Sequence, residues 1–181
     1  MNGRHHAAIA IASWVAAAPY LPGDLAAPFA GPLGYAGGLL LCWLGGLLPD
    51  LDTPTSKMGR CLPGLSHAVH WLFGHRGFTH SLLLPLSVVI AFELLQQPLP
   101  LSWLLPLAIG WSSHIIADMF TPAGVPVLLP VVVKFKLPLA SNDLYERGIT
   151  GVLVVLLLSV GLLPDALLTD LHAAFSRALP I

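Results

Sequence analysis

The chain has 181 residues, of which 56% are hydrophobic and 9% charged, and its mean hydropathy is +0.81. Soluble domains carry about 25% charged residues, so an ordinary globular surface is excluded, as is disorder, which needs low hydrophobicity and high net charge. A formal net charge of -1 gives no basis for electrostatic nucleic-acid binding. The composition predicts one all-α, polytopic membrane bundle of about five helices spanning residues 1–181 as a single domain.

The first segment is read as retained: Arg4, His5 and His6 precede an Ala-rich run with no A-x-A-like cleavage site. Ala7 to Tyr20 is apolar but short, and Pro19 and Pro22 end it. Leu33 to Leu48 is a better span, with Gly37, Gly38, Gly45 and Gly46 allowing close helix approach. Cys42 lies in that apolar run and Cys61 in a polar loop, so the two do not predict a disulfide. Within the Pro49–Thr79 loop, Leu65 to Phe73 reads as a short amphipathic helix lying on the membrane surface. Ser81 to Leu95 is the next span, with Glu93 near its far end, and a Gln96–Pro100 turn leads into Leu101 to Ala117. Val125 to Leu139, rich in Pro and Val, reads as a short extended hairpin or an interfacial loop. Ile149 to Leu163 is the last span, and the tail from Pro164 is interfacial.

Five spans put the N-terminus and the Pro49–Thr79 and Asp118–Gly148 loops on one side. That side holds Arg4, Lys57, Arg60, Arg76, Lys134, Lys136 and Arg147, against Arg177 on the other. The positive-inside rule makes it cytoplasmic. The ionisable residues gather at the same face: His5 and His6, Asp50 and Asp52 in LLPDLD, His75, Arg76 and His80 in GHRGFTH, His114 and Asp118 in SHIIAD, and Asn142, Asp143 and Glu146 in SNDLYERG.

His114 and Asp118 are spaced i, i+4 and share one helix face. Asp50 and Asp52 flank one residue in an extended turn after Pro49, where alternate residues point to the same side, and His75 and His80 bracket a Gly-containing turn. Mixed imidazole and carboxylate donors suit Zn²⁺, Mn²⁺, Fe²⁺ or Ni²⁺. More than four candidates leave room for two ions. Taken singly, such residues are more often caps or boundary markers. Thr79 is a candidate cap for the third span and Asp143 for the fifth. As a set they point to a site, because ionisable groups near the bilayer cost a few kcal/mol each unless they find partners. His67 and His70 read as solvated, and His172 and Glu93 fall at the far side. Arg76 reads either as a bidentate grip on a substrate anion or as an anchor to lipid headgroups.

The blocks PDLDTPTS, GHRGFTHSLL, SHIIADMFTPAGVPVLLP and NDLYER resemble the YdjM-like family of LexA-regulated inner-membrane metal-dependent hydrolases, from about His6 to Arg147. The resemblance implies a divalent-metal site of His6, Asp50, Asp52, His75, His80, His114, Asp118 and Glu146, with His6 preferred over the adjacent His5. A fold-level analogy also links the His-x-x-x-Asp helix to zinc-dependent phospholipase C.

The expected function is therefore a membrane-bound hydrolase of the cytoplasmic membrane, with zinc, or else manganese or iron, activating water against a phosphoester or ester, preferably of a membrane lipid. Glu146 is expected as ligand or general base, Asp52 as a catalytic carboxylate as well as a ligand, and Arg76 as the anion grip. The alternatives are a metal-ion or proton transporter, and a non-catalytic membrane protein that binds a regulator.

Overall fold

The computed structural model describes residues 1–95, 101–128 and 133–163. The expected Gln96–Pro100 turn, the tail from Pro164 with His172 and Arg177, and the centre of the Val125–Leu139 stretch lie outside the described residues.

The chain forms eight α-helices among those residues: α1 (Gly3–Ala17), α2 (Gly23–Ala26), α3 (Gly31–Gly45), α4 (Lys57–Cys61), α5 (Pro63–Phe73), α6 (Leu83–Leu94), α7 (Leu101–Met119) and α8 (Asp143–Gly161). Their ends have local causes. The Asn2 side chain accepts the Arg4 N–H at 3.2 Å and opens α1. Pro19 follows its last turn. Gly74, at φ +69°, stops α5. The cap of α8 is Asn142, one residue before the expected Asp143, and its Oδ1 accepts the N–H groups of Leu144 and Tyr145. Thr79 caps no helix; it lies inside a 3₁₀ turn over Phe78–His80.

The all-α expectation holds: no strand occurs among the described residues, and Val125 and Phe135 form one isolated antiparallel bridge. That bridge supports a short extended excursion between α7 and α8. It is tied down where Val127 O accepts from Leu82 N and Ser81 Oγ. The five long helices coincide with the five expected spans, and two of them meet the length and composition of a membrane-crossing helix. Among the described residues, Gly31–Asp52 and Asp143–Gly161 alone are long and apolar enough to cross a membrane, and the apolar stretch Leu83–Phe92 is shorter. The physical reason is length and composition. α1 has 15 residues and α6 has 12, while α7 has 19 but carries Pro106, His114 and Asp118.

α1 is the central helix, packed against α3, α7 and α8, and α3 also packs along α7. An apolar core of Ala10, Trp14, Phe29 and Cys42 fills one end, with Phe29 edge-on to Trp14 at 4.9 Å. The Cys42 thiol donates to Ala10 O, and Cys61 is free as well, so the expected absence of a disulfide between them holds. Leu33, Leu40, Leu86, Ile90, Val152, Val155 and Leu156 are exposed around the outside. So large an apolar surface marks contact with lipid or protein rather than water.

α3 and α7 approach through small residues. A Cβ at Gly110 would stand 2.0 Å from Cys42 O, and one at Gly45 would stand 2.2 Å from Leu107 O. Backbone contact of this kind is the usual way membrane helices pack. It matters for the site, because His114 lies one turn from Gly110 and bonds to the carbonyl of Gly46, which caps α3. Gly110→Val should therefore destabilise the protein by about 1–3 kcal/mol, read as a lower unfolding temperature in detergent. An unchanged unfolding temperature would mean that the two helices do not pack in this register.

Candidate metal centre

Four separate segments deliver the site. α1 supplies His6, the 3₁₀ turn over Pro49–Asp52 supplies Asp50 and Asp52, the turn over Phe78–His80 supplies His80, and α7 supplies His114 and Asp118. His6, Asp52, His80, His114 and Asp118 are all fully or almost fully buried.

The His6 ring stacks on His114 with centroids 3.5 Å apart and planes 12° from parallel, and His80 stands nearly perpendicular to His114 at 5.2 Å. Asp118 lies among all three. Its Oδ1 is 3.3 Å from His6 Nε2, and its Oδ2 is 3.6 Å from His80 Nε2 and 3.8 Å from His114 Nε2. Asp50 Oδ1 lies 3.9 Å from His114 Nε2. Two ligands on one tetrahedral zinc, each at its usual bond length, stand about 3.3 Å apart. The observed separations match that spacing or exceed it slightly. Two groups, His6–His114–Asp118 and Asp50–His80–His114, could each hold a metal ion.

The nitrogens facing this centre have no hydrogen-bond partner among the described residues. They are the Nε2 atoms of His6, His80 and His114, all buried. A buried polar atom left unsatisfied costs about 1–3 kcal/mol. Three imidazole nitrogens in that condition surround one carboxylate, whose Oδ1 also accepts from the Met1 ammonium at 2.7 Å, and such a donor set could hold a metal ion. The opposite ring nitrogens of His80 and His114 are engaged, whereas His6 Nδ1 has no hydrogen-bond partner among the described residues. His114 Nδ1 donates to Gly46 O at 2.8 Å, which leaves Nε2 as the lone-pair atom. His80 Nδ1 lies 3.1 Å from Asp52 Oδ2, the carboxylate–histidine pairing typical behind a metal ligand.

Asp52 is the most heavily bonded group. Its carboxylate accepts from Thr79 Oγ1 at 2.6 Å, Thr53 Oγ1 at 2.9 Å and Arg76 N at 3.0 Å, besides the Nδ1 atoms of His75 and His80. It stands behind His80 and outside both donor groups. His75 is its neighbour on the outer side, 45% exposed and shared with Thr53 Oγ1. Glu146 sits at the α1–α8 seam, where its Oε2 accepts from Asn2 N and lies 3.2 Å from His5 Nδ1. The adjacent histidines thus diverge: His6 enters the centre and His5 turns to Glu146.

Arg76 is held at φ +56°, in the left-handed region that non-glycine residues seldom occupy. Its guanidinium reaches inward to Asp118 Oδ2 at 3.0 Å, Thr121 Oγ1 at 2.8 Å and Gly124 O at 3.3 Å. His70 and His67 bond to the Asp52 and Pro63 carbonyls through Nδ1, each on the surface helix α5. Thr53, Thr79, Thr121 and the Gly46 carbonyl belong to the site and were not singled out for it from sequence. Thr79 had a signal, since it directly precedes His80 in the HRGFTHS block; a backbone carbonyl has none.

The YdjM inner membrane protein family model matches residues 1–168. The inner membrane protein YdjM of Escherichia coli is 44% identical over 99 residues, covering 51% of this chain and 49% of that protein. The chain therefore aligns with about half the length of that relative. The uncharacterized protein YvsG of Bacillus subtilis is 39% identical over 157 residues, covering 83% of this chain and 90% of that protein. No solved structure matches.

Proposed function

The chain belongs to the YdjM family of inner membrane proteins, and from that premise we propose that it is a metal-dependent hydrolase of the cytoplasmic membrane. The observation that carries the reading is the set of unsatisfied, buried imidazole nitrogens of His6, His80 and His114 gathered around Asp118. His114 is common to both donor groups and has one free nitrogen, which favours one ion over two independent ones. Zinc suits the imidazole-rich set best, with manganese or iron as alternatives. Such an ion, when bound, acidifies water and polarises a phosphoryl or carbonyl oxygen.

The chain's own groups do the rest. Asp52 fixes the His80 ring, the Gly46 carbonyl fixes His114, and Arg76 holds Asp118 in place. Asp50 is part-exposed and stands where the centre opens to its surroundings. Glu146 stands beside His5 at the α1–α8 seam, outside both donor groups. α1, α3, α6, α7 and α8 form the membrane bundle of about five helices. The basic residues of the Pro49–Thr79 and Asp118–Gly148 loops put the centre at the cytoplasmic face. The surface helix α5, with Trp71 84% exposed and Leu65, Leu72 and Phe73 exposed beside it, lies in the interface. A phosphoester or ester of a membrane lipid can then reach the centre from the leaflet.

Detergent-purified protein should hydrolyse a chromogenic phosphoester or ester. EDTA should abolish that hydrolysis, and added Zn²⁺ or Mn²⁺ should restore it. Hydrolysis of neither class by metal-replete protein, together with metal uptake into proteoliposomes, would replace this reading with a transporter.

A further inference from the structure

A second feature adjoins the centre. A cavity of about 210 Å³ opens between the start of α1, the Pro49–Asp52 turn and α4, and Asn2, Asp50, Ser56, Lys57, Met58 and Arg60 are among the residues that line it. The wall is rigidly built. Ser56 Oγ donates to Asp50 O at 2.7 Å and accepts from Gly59 N at 2.8 Å, so one hydroxyl ties the Asp50 turn to α4. Gly59 permits the close fit, since a Cβ there would stand 2.1 Å from Thr53 O.

The charges of this cavity are unbalanced. Lys57 has no ion pair among the described residues, and Arg60 has none either, its Nε donating to Ser56 O at 3.3 Å. The acid in the wall is Asp50, which is also a donor of the Asp50–His80–His114 group. A divalent cation held there would offset that carboxylate and leave the whole wall positive. Arg76, the arginine that the sequence offers as an anion grip, is 14% exposed and committed inward to Asp118, Thr121 and Gly124. Beside the metal ion itself, side-chain cations other than Arg76 are then needed to receive an anionic substrate group.

We infer that this cavity receives the phosphate group of a phosphoester, with Lys57 and Arg60 as its cationic wall and Asp50 as the edge shared with the metal centre. The inference rests on the metal-dependent hydrolase reading and narrows its substrate class from esters in general to phosphoesters. Lys and Arg bind phosphate through charge-assisted hydrogen bonds. Because Asp50 belongs to both features, phosphate and metal should strengthen each other's binding, and linkage makes that effect reciprocal.

The test is calorimetric titration of inorganic phosphate into the detergent-purified full chain, zinc-loaded and after EDTA treatment. Zinc-loaded protein should bind phosphate more tightly than the EDTA-treated form. The double variant K57A/R60A should bind it about tenfold or more weakly with zinc content unchanged, and the charge-preserving K57R/R60K should restore binding. Phosphate binding by K57A/R60A equal to that of the original chain overturns the inference, as does the absence of phosphate binding by the zinc-loaded protein. Failure of the underlying reading looks different: the original chain would hold no zinc and hydrolyse nothing, while the loss of phosphate binding in K57A/R60A would remain. Repeating the titration in phosphatidylcholine nanodiscs with and without phosphatidic acid distinguishes the source. Competition by phosphatidic acid identifies a lipid headgroup, and an unchanged titration identifies a soluble phosphoester.

Discussion

His114→Ala should leave the purified protein with no more than about a tenth of its metal, measured by elemental analysis. The size of the effect follows from position. His114 belongs to both donor groups, its ring is stacked on His6, and its Nε2 faces Asp118 and Asp50 together. Removing the ring takes one donor from each group at once and leaves two donors in either. Loss of a buried ring also leaves a cavity, so the comparison must separate metal from folding. His114→Ala should unfold close to the temperature of the original chain stripped with EDTA. The control His67→Ala, at an exposed residue bonded to Pro63 O, should keep its full metal content. A His114→Ala protein that retains the metal content of the original chain removes the basis of the proposed chemistry.

Asp52→Asn should weaken metal affinity about 10–100-fold while preserving stoichiometry at saturating metal, the behaviour of a group that orients a ligand. The side chain keeps its shape but loses its charge, and one oxygen becomes an N–H₂. That group would face the Thr79 hydroxyl, the Arg76 N–H, the Thr53 hydroxyl or the His75 and His80 rings, all arranged around a carboxylate. At least one donor is left without an acceptor in a buried setting, and the His80 ring loses the partner that aims its Nε2 at the centre. A direct ligand would behave otherwise, with stoichiometry lost as well as affinity. Titration with Zn²⁺ under a competing chelator distinguishes the two outcomes.

The two predictions differ in how far the sequence anticipated them. His114 and Asp118 are one helical turn apart, so their common face follows from the period of the α-helix alone. The structure finds them 3.8 Å apart. Asp50 and Asp52 are just as close in sequence, and alternation in an extended turn pointed them to one side. The segment is instead a 3₁₀ turn, in which Asp50 reaches the His114 side and Asp52 is enclosed behind His80. Arg76 illustrates the same boundary. Its place in the GHRGFTH block put it near the site, but its inward direction depends on a positive φ and on partners at Thr121 and Gly124. Lys57 and Arg60 entered the sequence reading only as counts for orientation. Their shared cavity with Asp50 exists because Ser56 and Gly59 draw α4 onto the Asp50 turn.

By itself, the amino-acid order determined the membrane class, the positions of the long helices, and the gathering of imidazoles and acids at one end of the bundle. These properties depend on composition and on local periodicity, which any single stretch carries without its neighbours. Only the tertiary structure decided that His6 and not His5 enters the centre, that Asp52 supports His80, that Glu146 pairs with His5, and that Arg76 is spent on Asp118. Each of those outcomes turns on an ångström or two between atoms from distant segments. Helix packing through Gly45 and Gly110, and the hydrogen bonds that lock the turns, set such distances, and no spacing within one segment encodes them.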